Sequence, residues 1–173
     1  MNNIHIDLDE NIIKYLNERL DNNINIEKSI KDIVSIALTK NKISIDTASI
    51  SIQSATRDEI KDLNSKYRNI DRPTDVLSFP IFEREELESI KDMEESKKIK
   101  ELELGDIILC LDIINEQSKE YETGLLREVL YMITHGVCHL LGYDHIEEDD
   151  KKEMRDLEEY ILNKLGVFKS NEK

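Results

Sequence analysis

The spacing of apolar residues along this chain changes several times, and each change marks an element. Residues 4–8, IHIDL, alternate and predict a short strand. Residues 9–21 and 26–41 show helical spacing; in the second, Ile26, Ile30, Ile33, Val34, Ala37 and Leu38 make one stripe to bury. Residues 43–53, ISIDTASISIQ, are β-branched and alternating, a strand or a pair of strands. A helix is expected over 56–67, entered by Thr56 with Glu59 three residues on, which is the capping-box pattern. Residues 72–82, RPTDVLSFPIF, have a β-prone centre with proline on both flanks. Proline cannot donate to a ladder, so this strand belongs at a sheet edge.

Residues 83–100, EREELESIKDMEESKKIK, are almost all charged or polar and predict a charged surface loop or a frayed surface helix. The run LGDIILCLDII at 104–114 is nearly continuous in apolar character, a central strand passing into a helix. Residues 123–141 are apolar on most sides, which marks a buried helix, and Gly142 stops it. The last helix is expected over 148–165, with Met154, Leu157, Ile161 and Leu165 inward. Acids at 147–150 face its positive end and Gly166 closes it. No repeat or boundary divides the chain. Its 173 residues suit one domain over 1–173.

Composition narrows the setting. Hydrophobic residues at 39% against charged residues at 36% describe a globular chain rather than a disordered one. There is no apolar run near 18 residues, so no membrane helix is expected. The start, MNNIHIDLDE, lacks the basic and apolar regions of a signal peptide. Cys110 and Cys138 sit in apolar runs and read as buried free thiols in a reducing compartment, so a cytoplasmic location is expected. The net charge of −14 argues against a general nucleic-acid binder. The charge is uneven, however. Residues 147–159 carry eight acids and three bases, whereas 57–72 carry five bases and four acids.

The densest chemistry is HGVCHLLGYDH at 135–145, with three of the chain's four histidines. His135 and His139 are at i and i+4, which puts both rings on one helix face. Gly142 lets the chain reverse, and a short turn brings His145 back toward them. Three nitrogen ligands match a catalytic Zn²⁺ site with its fourth position open for water. Burying three imidazoles with no shared partner would be costly. His5, alone on a terminal strand, has no assigned role. In H-E-x-x-H peptidases a Glu after the first histidine is the general base; here that residue is Gly136. Glu147 and Glu148 follow His145 and are candidates for the base, or simply acids at a helix start. Cys138, three residues after His135, reads as a small buried hydrophobe beside the ligands.

The motif H-G-x-x-H-L-x-G-Y-D-H resembles the signature of the YbeY family of bacterial endoribonucleases, also called rRNA maturation factors. It stands here as His135, Gly136, His139, Leu140, Gly142, Tyr143, Asp144 and His145. LNSKYRNIDRPTDVLSFP at 63–80 and LGDIILC at 104–110 also look like the family, and block order and spacing fit across roughly 43–166. Cys138 departs from it, falling where the family more often has an aliphatic residue. The resemblance implies an α+β fold, a small mixed β-sheet packed by several helices with a buried metal-bearing helix, and one zinc ion per chain on His135, His139 and His145. It implies cleavage of single-stranded RNA, in maturation of the 3′ end of small-subunit (16S) ribosomal RNA and in ribosome quality control. The family's functional arginine, in its Tyr-Arg pair, falls on Arg68. Arginine can clamp two phosphate oxygens with its planar fork. Lys61, Lys66 and Arg72 are candidates for further phosphate contacts. The acidic body points to the small ribosomal subunit or its assembly factors as the partner that delivers RNA. Two rival readings are a zinc peptidase or amidohydrolase, disfavoured by Gly136, and a ribosome-assembly protein with a structural metal, which would normally need a fourth protein ligand.

Overall fold

A computed structural model describes residues 3–21, 24–93 and 99–167. In chain order its elements are β1 (Asn3–Leu8), α1 (Glu10–Arg19), α2 (Ile26–Lys40), β2 (Thr47–Ser54), α3 (Arg57–Arg68), β3 (Val76–Pro80), α4 (Arg84–Lys91), β4 (Glu101–Leu109), α5 (Leu111–Glu120), α6 (Leu125–Leu140) and α7 (Glu148–Leu165).

The strands form one sheet in the order β1-β2-β4-β3. The β1–β2 and β2–β4 pairs are parallel, and β3 runs antiparallel to β4. The fold is therefore α+β with a mixed sheet, as the family resemblance implies, and the proline-flanked strand is at an edge, as its prolines predict. In β2 the period is strict: Ala48, Ile50 and Ile52 are buried, and the serines between them are not. In β4 it breaks at Gly105, where Leu104 and Gly105 are both buried and Asp106 is exposed. Glu103 pairs with Ser49 and Asp106 with Ser51, so β4 holds one extra residue there. Gly105 takes φ 133°, and a Cβ on it would lie 2.2 Å from the Phe79 carbonyl oxygen. Only glycine lets β3 pass so close.

One face of the sheet carries the main core. The stripe Ile26, Ile30, Ile33, Val34, Ala37 and Leu38 of α2 is buried, as expected. It joins α6 and the Met154, Leu157 and Ile161 side of α7. A smaller cluster, Ile60, Leu77 and Cys110, seats α3. Thr56 caps α3 and exchanges bonds with Glu59, so the capping box is present. Both cysteines are buried and free.

Of the two readings given for 83–100, the charged loop needs correction in the first half, where the helix forms. Residues 84–91 form α4, with Leu87 and Ile90 buried in the main core. The Glu83 amide donates to Glu86 Oε2 at 2.7 Å, which starts the helix. Two apolar residues at i and i+3 suffice to seat a short helix, although its other positions are polar. Residues 94–98 lie outside the described residues. The expected strand over 43–53 is also shorter. It begins at Thr47, and Ile43 and Ile45 reach the core from the connection before it.

Candidate metal centre

Helix α6 positions the site by the way it lies on the sheet. Gly136 is buried, and a Cβ there would meet Ile107 Cδ1 of β4 at 2.6 Å. The helix therefore rests on β4 at this residue and turns His135 and His139 away from the sheet. The same contact explains why no glutamate follows the first histidine: a side chain at 136 would run into Ile107 rather than into the site. After Leu140 the chain reverses through paired bonds. The Gly142 amide donates to the His139 carbonyl at 2.9 Å, and the Tyr143 amide to that of Cys138 at 3.1 Å. Gly142 takes φ 87° to allow this. A Cβ there would lie 2.7 Å from Arg84 Cβ, so α4 backs the turn. Tyr143 is pinned as well: its hydroxyl donates to Asn41 Oδ1 at 2.7 Å, and the Arg84 guanidinium lies 5.0 Å from its ring centroid.

The turn brings His145 back to the helix. One ring nitrogen from each of His135, His139 and His145 lies within 4.8 Å of the other two. His135 Nε2 and His139 Nε2 are 3.1 Å apart. Two nitrogens bound tetrahedrally at the usual Zn–N length would be about 3.3 Å apart. The opposite nitrogens are already committed. His135 Nδ1 donates to Glu158 Oε1 at 2.7 Å, and His139 Nδ1 donates to the Tyr143 carbonyl at 2.9 Å. Each bond fixes a tautomer whose Nε2 lone pair faces the other ring. The donor set thus fits a metal ion. Burial, then the neighbouring His135, pushes His139 down to about 4, with smaller contributions from His145 and Arg68 and an opposing one from the Tyr143 carbonyl. Its ring is therefore neutral and able to ligate at neutral pH.

Glu158 is the participant that the sequence reading missed. It is buried on α7 and accepts from both His135 and the Tyr131 hydroxyl, the latter at 3.3 Å. Burial and the Glu158 charge push the Tyr131 phenol up to about 12, so it stays a donor. The available signal was an acid four residues after Met154 and three before Ile161, on the inward side of the last helix.

Arg68 is the last residue of α3, which Asn69 ends with φ 57°. Its Nη2 donates to the Ser78 carbonyl of β3 at 2.8 Å. It is near enough to the cluster to help lower the His139 pKa. Of the accessory cations, Lys61 is 3.8 Å from Asp71, while Lys66 and Arg72 are exposed, with no carboxylate partner among the described residues. Cys138 is fully buried in the main core, where burial, then the Glu158 charge, pushes its thiol well up, and it is not in the ligand group. Glu147 precedes α7, and Glu148 in its first turn pairs with Lys151 at 3.1 Å. Neither bonds to the histidines among the described residues. His5 is exposed on β1 and outside the group.

Fold and site together define a class: an α+β domain with a three-histidine group that could hold a metal ion, built on a buried helix and the turn after it, without the peptidase acid. The chain belongs to the YbeY family, whose model, described as Endoribonuclease YbeY, matches residues 12–166. A relative from Clostridium botulinum (strain Kyoto / Type A2), named Endoribonuclease YbeY, is 44% identical over 96% of this chain and 99% of its own. One of the same name from Clostridium beijerinckii is 42% identical over 81% of this chain and 87% of its own. The solution structure of TM1509 from Thermotoga maritima shares the fold, at TM-score 0.52 and 24% identity over 98% of this chain and 99% of that one. Among the described residues no helix is long and apolar enough to cross a membrane.

Proposed function

We propose that this chain is a zinc-dependent, single-strand-specific endoribonuclease of the cytoplasm. Its task is maturation of the 3′ end of 16S ribosomal RNA and ribosome quality control, on RNA presented by the small subunit or its assembly factors. The observation that carries this reading is the convergence of two oriented Nε2 atoms and a third ring nitrogen, in a chain whose named relatives are endoribonucleases.

His135, His139 and His145 would hold one Zn²⁺. When bound, zinc in such a site supplies Lewis acidity and water ionisable near neutral pH. The protein's own residues do the rest. Glu158 and the Tyr143 carbonyl keep the two helical rings in the ligating tautomer. Arg68, with Nη2 on the Ser78 carbonyl, keeps its remaining N–H donors for the phosphate, where charge grows as the bond breaks. The group has three protein ligands among the described residues, one fewer than a closed structural site.

Water, rather than the neighbouring 2′-OH, is the nucleophile in this scheme. The 2′-OH route needs a base and an acid flanking the phosphate. The clustered histidines are spent on ligation, and His5 is elsewhere. An RNA with one 2′-deoxy substitution at the scissile nucleotide tests this. Continued cutting supports the water route. Abolished cutting, with 2′,3′-cyclic phosphate ends on normal RNA, overturns it.

A further inference from the structure

Six large apolar side chains are exposed among the described residues: Ile13, Tyr67, Ile70, Ile81, Tyr121 and Ile146. Four of them, Tyr67, Ile70, Ile81 and Ile146, lie within three residues of Arg68, Ser78 or His145 in the chain. Tyr67 is the aromatic one of these, with 54% of its surface exposed. Its ring meets Phe79 edge to face, with centroids 5.3 Å apart and planes 72° apart. Phe79 follows Ser78, whose carbonyl holds Arg68. The ring and the guanidinium are therefore anchored on consecutive residues of one edge strand.

The charges around Tyr67 are equally specific. Lys66, Arg68 and Arg72 have no carboxylate partner among the described residues, in a chain of net charge −14. The Lys66 ammonium lies 5.1 Å from the Tyr67 centroid. An exposed cation–π contact of this kind is weak and gives way to a better stacking partner. A half-exposed ring held edge-on from behind, amid unneutralised cations, suits a polyanion that carries flat apolar faces. An unpaired nucleic-acid strand has that chemistry.

Resting on the endoribonuclease reading, we propose that Tyr67 is the stacking platform for an unpaired nucleobase beside the scissile phosphate. Lys66 and Arg72 attend the flanking phosphates. The platform accounts for single-strand preference physically. A base in a duplex is stacked on both faces and cannot reach the ring, whereas any unpaired base offers a π face. Little sequence preference follows at this position.

The test uses the zinc-loaded full chain, a single-stranded RNA it cuts, and the variants Tyr67→Phe, Tyr67→Leu and Tyr67→Ala. The phenylalanine variant should match wild type within about twofold in KM, because the π face remains. The leucine and alanine variants should raise KM roughly 5- to 150-fold, the usual loss of one stacked base. Zinc content should not move, melting temperature should hold in the phenylalanine and leucine variants, and kcat should change far less than KM. Leucine preserves apolar contact with Phe79, so a KM defect in both variants separates stacking from support of β3. If wild type cuts RNA but the leucine and alanine variants keep its KM, or lose only kcat, this proposal fails and the endoribonuclease reading stands. If the zinc-loaded wild type cuts no RNA, that reading fails and takes this proposal with it.

Discussion

Glu158 offers the sharpest perturbation, because the structure gives it one task at the site. It is 6% exposed and accepts the His135 Nδ1–H at 2.7 Å. Replacing it with glutamine keeps an oxygen able to accept that bond but removes the carboxylate. Replacing it with alanine removes the acceptor, frees the ring to rotate and allows the other tautomer. Partners of this kind are worth about 10- to 100-fold in metal affinity, or roughly 1.4 to 2.7 kcal/mol. Glutamine is expected at the lower end and alanine at the upper. Tyr131→Phe removes only the 3.3 Å bond to Glu158 and should change affinity less than either. The assay is competition of metal-stripped protein against a chromophoric zinc chelator at fixed pH, with circular dichroism to verify folding. If the glutamine and alanine variants both bind zinc as tightly as wild type, Glu158 does not orient His135 and the tautomer argument is wrong.

Gly136→Ala should cost about 1 to 3 kcal/mol of overpacking against Ile107, less up to about 1 kcal/mol of helix propensity, measured by urea unfolding of the metal-free protein. Arg68→Lys should lose most RNA cleavage at unchanged zinc content, because the charge survives but the fork does not; undiminished cleavage would remove Arg68 from the mechanism. The metal-free protein should lose stability as pH falls below about 6.5. His139 has a folded pKa near 4 against an ordinary 6.5, so between these values the unfolded chain binds a proton that the folded chain refuses. The slope from this group is at most about 1.4 kcal/mol per pH unit, vanishes above 6.5, and should shrink in His139→Gln, as urea midpoints between pH 5 and 7 would record.

What the sequence disclosed about the site is what is local in the chain. His135 and His139 are related by helix geometry and His145 by a turn that Gly142 makes possible, so all three fall within one stretch of 11 residues. Glu158 comes from another helix, inside a segment of eight acids where an inward carboxylate looks like its solvated neighbours. The Tyr143 carbonyl is backbone and has no residue type to reveal it. For the fold, the α2 stripe and the Thr56 capping box were legible because each is set within a few residues. The parallel β1-β2-β4 order depends on pairings across long separations, which periodicity does not encode. The sequence leaves helix α4 undecided between a loop and a surface helix because only Leu87 and Ile90 mark its inner face.

The central claim is that the three histidines hold the metal on which RNA cleavage depends. Its most direct test is cutting of a defined single-stranded ribosomal RNA fragment by metal-stripped protein, titrated with Zn²⁺, beside His139→Ala treated identically. The account predicts no cutting by stripped protein, recovery as zinc approaches one ion per chain, and no recovery in the variant. Equal cutting with and without metal, or by His139→Ala, would contradict it.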